Sequence, residues 1–209
     1  MSEVKKVYEQ LIKLTEWYTR VKRGNIHGVL LEEWRDLHPD EGIDFENPMV
    51  RDSDMMHVGH LPAIATHIHP YIEHRDQVDL GHVLKLLSIH EIGEIHVGDV
   101  MTVARSKTSR ERDAEKQAAH AMLHPDHRAW YDEFEAKGTF AAKYANSIDK
   151  LSWQLVACTC PAQIDEERLV KNGTSVERIY ELYRPVMEWD SFLAELLDYV
   201  FEHGRKHSS

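Results

Sequence analysis

Cysteine is nearly missing from this chain: Cys158 and Cys160 are the only two in 209 residues. One intervening residue suits neither an ordinary disulfide nor a four-thiolate zinc site, so a disulfide scaffold is excluded and both are expected to be buried thiols. Long apolar runs are missing too. No stretch of about 18 apolar residues and no basic, apolar leader occurs, which sets the expectation of a cytoplasmic protein with no membrane partner. Positive charge is in deficit, with 25 Lys and Arg against 36 Asp and Glu and a net charge of −11. Such a surface repels a nucleic-acid polymer, and only the stretch Arg105–Arg112 is locally basic. Alternating apolar and polar positions, internal repeats and low-complexity tracts are also lacking, so nothing points to strands.

What is present suits a helical protein with a core of its own. Hydrophobic residues are 42% and charged residues 29% of the chain, ordinary values for a globular domain. Val4, Val7, Leu11, Leu14, Trp17, Tyr18 and Val21 recur every three or four residues and predict a helix over residues 3–22. A short helix is expected at Val29–Leu37, and His38–Val50 reads as loop. Asp52, Ser53 and Asp54 offer caps for a helix over Met55–Tyr71, with Pro62 near its start. Leu80–Ile95 carries a wide apolar stripe that fits a central buried helix. Further helices are expected at Ser109–Leu123, His127–Ala136, Phe140–Thr159, Ser175–Tyr183 and Trp189–His203, with prolines and glycines between them.

Fifteen histidines are far more than usual and invite a search for metal ligands. Within the stripe of Leu80–Ile95 stand His90, Glu91 and Glu94, close enough in register to share one side of a helix. Burying them is costly unless each finds a partner, and a divalent cation would supply one. The plainer alternative is a helix end whose acids face water. Asp149 borders the apolar stripe of Phe140–Thr159; taken alone, an aspartate there is solvated or paired with a lysine more often than it is a ligand.

Taken together, His57, then His90-Glu91-x-x-Glu94-x-x-x-Gly98-Asp99, then Asp149-Lys150-Leu151 resemble the HD-domain metal-dependent phosphohydrolases, and more narrowly their 5′-deoxynucleotidase branch. The match covers roughly residues 50–157. It implies an all-α, single-domain helical bundle of the HD type over residues 1–209, with C-terminal helices in 160–209. By this resemblance His57, His90, Glu91 and Asp149 would hold one divalent ion: manganese, cobalt, iron, zinc, nickel or magnesium. Glu91 stands where the family has Asp, and its extra methylene changes the reach of the carboxylate. His60, one turn beyond His57, is an alternative first ligand.

The same resemblance implies catalytic roles for Glu94 and Asp99, and substrate contacts from Asp99, Arg105, Lys107 and, more distantly, Arg35; Arg110 lies close by. The implied partner is a small nucleotide or other phosphate ester, and relatives are commonly homodimers. Two other readings stand beside this one. His90-Glu91 opens a His-Glu-x-x-His peptidase pattern, but position 94 is Glu and the pattern leaves Gly98, Asp99 and Asp149 without a role. The other is a metal- or nucleotide-binding protein that has lost turnover through Glu91.

Overall fold

Eight α-helices and three short 3-10 turns make up the described residues of the computed structural model, which are 3–20, 54–94, 106–159 and 173–203; no strand occurs among them. In chain order the helices are α1 (Glu3–Arg20), α2 (Asp54–Ile68), α3 (Leu80–Ile89), α4 (Ser109–Met122), α5 (Arg128–Ala136), α6 (Phe140–Thr159), α7 (Val176–Met187) and α8 (Ser191–His203). The all-helical class expected from periodicity is the class observed. The expected helix at Val29–Leu37 and the loop at His38–Val50 lie outside the described residues, as does Cys160.

α6 organises the rest, packing against α1, α2, α3, α5, α7 and α8. Its sequence explains why: Ala142, Tyr144, Ala145, Ile148, Leu151 and Leu155 are all fully buried, so apolar positions reach around most of the helix and it is covered on several sides. Tyr144 is tied to α2 through its Oη, which donates to the carbonyl of Ala65 at 2.6 Å. Leu61, Ile64 and Ile68 of α2 and Val83, Leu86 and Leu87 of α3 complete the core around it. Buried Asp190 joins the ends of the chain's elements, accepting from the amides of Glu73 at 2.7 Å and Leu193 at 3.2 Å.

Several boundaries differ from the expected ones for local reasons. α2 stops at Ile68, and His69–Tyr71 tightens into a 3-10 turn around Pro70. Pro62 sits well inside α2, where it withholds one backbone donor. α7 runs on past Tyr183 to Met187 with Pro185 in its last turn, because the buried faces of Tyr183 and Met187 continue the same stripe. α3 ends at Ile89, not Ile95, and this change shapes the site. From His90 the chain winds in turns closed by i→i+3 bonds, Ile92 N to Ile89 O at 3.1 Å and Glu94 N to Glu91 O at 2.9 Å. Among the described helices, none is long and apolar enough to cross a membrane.

Candidate metal centre

Three segments bring four donor side chains to one point. His57 comes from the first turn of α2, His90 and Glu91 from the turn that closes α3, and Asp149 from the middle of α6. One donor atom from each lies within 4.8 Å of every other. His57 Nε2 is 3.0 Å from Asp149 Oδ1 and 3.8 Å from Glu91 Oε1. His90 Nε2 is 2.9 Å from Glu91 Oε1 and 3.6 Å from Asp149 Oδ1. Both imidazoles therefore aim Nε2 at the same pair of carboxylates.

The orientation of His90 is set from behind. Its Nδ1 lies 2.9 Å from the carbonyl of Leu87, an acceptor that requires the proton on Nδ1 and leaves Nε2 to face the cluster. That Nε2 is buried and makes no hydrogen bond of regular geometry. A buried nitrogen so placed beside two carboxylates fits a cation-binding role, and two nitrogens with two oxygens suit a divalent transition ion. The groups also compensate one another through charge. Burial pushes the His90 imidazole down, but Asp149 and Glu91 outweigh it and hold it up to about 10. Burial pushes Glu91 up, yet contact with His90 keeps it below the usual carboxylate range. Asp149, only 7% exposed, is likewise raised by burial and brought well below that range by Lys150, His57 and His90.

Lys150 belongs to the cluster as well, a residue that the sequence places in the motif but gives no role. Its Nζ is 2.8 Å from Asp149 Oδ2, so one oxygen of the carboxylate faces the histidines and the other faces a lysine. The lysine pairing expected of Asp149 is present, and it leaves Oδ1 facing the histidines. The only available signal was adjacency, since Lys150 directly follows Asp149.

Glu94 stands beside the four. It shares a hydrogen bond with Glu91, and its carboxyl is pushed up to about 8 by burial and by the charge on Glu91. Lys107 Nζ reaches it at 2.7 Å and reaches Glu115 of α4 at 2.6 Å. Glu115 was also missed, because in sequence it is one acid among many on a charged helix. Gly93 makes this approach possible: a Cβ there would lie 2.7 Å from the backbone oxygen of Glu115 and 2.8 Å from Tyr131 Oη. His60 is buried with its ring 6.0 Å from that of His57, but the group of donors that converge does not include it. Asp99, Arg105 and Arg35 lie outside the described residues, and Arg110 is exposed on the first turn of α4.

A family model described as HD domain matches residues 44–181, well over half of the chain. The chain belongs to the HD-domain family. All four converging residues fall inside the matched span. In its fold the chain is also similar to a solved structure, that of a predicted metal-dependent phosphohydrolase from Magnetospirillum magnetotacticum MS-1. That likeness has a TM-score of 0.63 at 19% identity and covers 99% of this chain and 97% of the other. At that identity it speaks for the fold. No curated protein sequence matches the chain. Within this HD domain, the His/Glu/Asp cluster is one that can bind a divalent ion.

Proposed function

We propose that this protein is a divalent-metal-dependent phosphohydrolase that removes phosphate from nucleoside 5′-monophosphates, favouring the deoxy sugar. One observation carries the reading: two imidazole nitrogens and two carboxylate oxygens from three separate segments converge within 4.8 Å, with the protonatable Glu94 adjacent. The HD-domain membership and the name borne by the Magnetospirillum neighbour support it. The nucleotide preference rests on the resemblance of Glu94, Gly98 and Asp99 to the deoxynucleotidase pattern.

His57, His90, Glu91 and Asp149 would hold the ion, and Lys150 would keep Asp149 turned to offer a single oxygen. When bound, a divalent cation there supplies a Lewis acid for the phosphoryl oxygen and lowers the pKa of a water. Glu94 then moves the proton. Water oxygen forms the new bond to phosphorus as the ester oxygen leaves, and the proton lost by water ends on the departing alcohol by way of the Glu94 carboxyl. A carboxyl near 8 is well matched to that exchange around neutral pH. Asp99, Arg105, Lys107 and Arg35 are the proposed substrate contacts, supplying charge and hydrogen bonds to the monophosphate. The turn at His90–Gly93 also argues against a peptidase, whose His-Glu-x-x-His pattern needs an unbroken helix.

The test is phosphate release by dialysed protein resupplied with manganese, cobalt or magnesium, across a panel of phosphate esters. Release from 5′-monophosphates, fastest with deoxy sugars, is the expected result. Cleavage of triphosphates or cyclic dinucleotides alone would overturn the branch assignment, and no release from any ester would overturn the hydrolase reading.

A further inference from the structure

Glu115 presents a problem that the reaction described above does not solve. It is a carboxylate only 4% exposed, on a helix whose other face is solvated, and its Oε1 sits 2.6 Å from Lys107 Nζ. A buried ion pair is rarely better for stability than apolar residues of the same volume. Lys107 spends its charge on both sides, at 2.7 Å from Glu94 Oε1 as well. Three ionisable groups thus run in a line, Glu115 to Lys107 to Glu94, and the line ends at Glu91, which shares a hydrogen bond with Glu94. Gly93 brings the line together, since its turn rests directly on the backbone of Glu115.

Glu94 is therefore a carboxyl group next to a proposed ligand, with its Oε1 held by Lys107. An unrestrained carboxylate so placed would be drawn to a divalent ion and would become a fifth protein ligand. A catalytic site needs the opposite, a coordination position left open for water and substrate. From these contacts we infer that Lys107, braced by Glu115, is a positioning residue that holds Glu94 out of the coordination shell and so reserves it for proton transfer. This rests on the proposed metal-dependent reading of the same site, and it gives Lys107 a task that precedes any contact with substrate.

The consequence runs against ordinary expectation, because removing Lys107 should tighten metal binding while slowing turnover. Titration of dialysed full-length protein with manganese(II) by calorimetry reads the first effect without reference to activity. Lys107→Met should bind about tenfold more tightly or better, in the range by which groups behind a metal ligand alter affinity. Lys107→Arg should stay near wild type. Glu115→Gln, which keeps the buried shape, should shift the same way by a smaller factor and stands in for Lys107→Met if that variant does not fold. The deciding comparison is made in a Glu94→Gln background, where the Lys107→Met change should no longer alter affinity. An equal tightening there would mean that a lost positive charge acts on the ion directly, and would overturn the inference, as would unchanged or weaker binding in Lys107→Met itself. If this pattern holds while no ester is hydrolysed, the function is wrong and the restraint stands; if esters are hydrolysed without the pattern, the restraint is wrong and the function stands.

Discussion

At His90, one of the proposed ligands, a proton competes with the ion. Its imidazole, pushed down by burial but held up to about 10 by Asp149 and Glu91, is cationic at neutral pH in the metal-free protein, whereas a ligating nitrogen must be bare. Metal binding should therefore release about one proton per ion, and affinity should rise about tenfold per pH unit below that value. Calorimetry in buffers of different ionisation enthalpy measures the release; none at neutral pH would mean that His90 is not a ligand. The same shift fixes the sign of a stability effect. Because the folded value exceeds the ordinary 6.5, the metal-free protein gains stability that is full below about 6.5 and disappears as pH rises through about 10. At Asp149, substitution by Ala removes both an oxygen donor and the partner of Lys150, and metal analysis after dialysis should find the ion lost; retention would rule the site out. Glu91→Asp should keep the ion, with a changed preference among metals. The four converging residues were legible in sequence because a match of spacing across a hundred residues singles them out. Lys150 and Glu115 were not, since their importance lies in which oxygen they face, and no periodicity reports that.

At the scale of elements, the turn at His90–Glu94 governs the site. Apolar spacing predicts a helix through Ile95 because i→i+3 and i→i+4 winding keep nearly the same side chains inward over a single turn. The pattern could not show the change; the backbone bonds from Ile92 and Glu94 do. Gly93 is the residue most exposed to test. An added methyl would meet the backbone oxygen of Glu115 at 2.7 Å, and overpacking of this kind costs about 1–3 kcal/mol. Gly93→Ala should lower the unfolding free energy by about that amount in urea titration and should weaken metal binding, since the clash displaces Glu91. An unperturbed variant would show that the turn does not rest on α4 as described. The other helices were largely legible because they are amphipathic and clearly punctuated: Phe140–Thr159 was delimited as found, and Thr108 caps α4 through a reciprocal bond with Glu111. Pro185 misled in the other direction, since tertiary packing carries α7 through it, whereas the helix expected over Met55–Tyr71 already ran through Pro62, as found.

The whole molecule places its charged centre between α2, the end of α3 and α6, so the ion would tie together helices that the core already packs. Binding to the folded state alone must then stabilise it. At a hundredfold excess over Kd the gain is about 2.7 kcal/mol, a rise in Tm of about 5–10 °C for a chain of this size. Differential scanning fluorimetry should show that rise in wild type and none in Asp149→Ala; an equal rise in both would place the ion elsewhere. The all-helical architecture and the HD-domain assignment were within reach of the sequence, because three motif segments keep their order and spacing. Which ester is cleaved was not, since ligands recognise an ion and not a base or sugar. The most direct test of the account joins metal and chemistry in one titration: manganese(II) is added stepwise to dialysed protein while phosphate release from a deoxynucleoside 5′-monophosphate is recorded. The account predicts no release without metal, a linear rise and a plateau at about one ion per chain, as a single four-ligand site requires. Release that is independent of the ion, or no release at saturation, would contradict it.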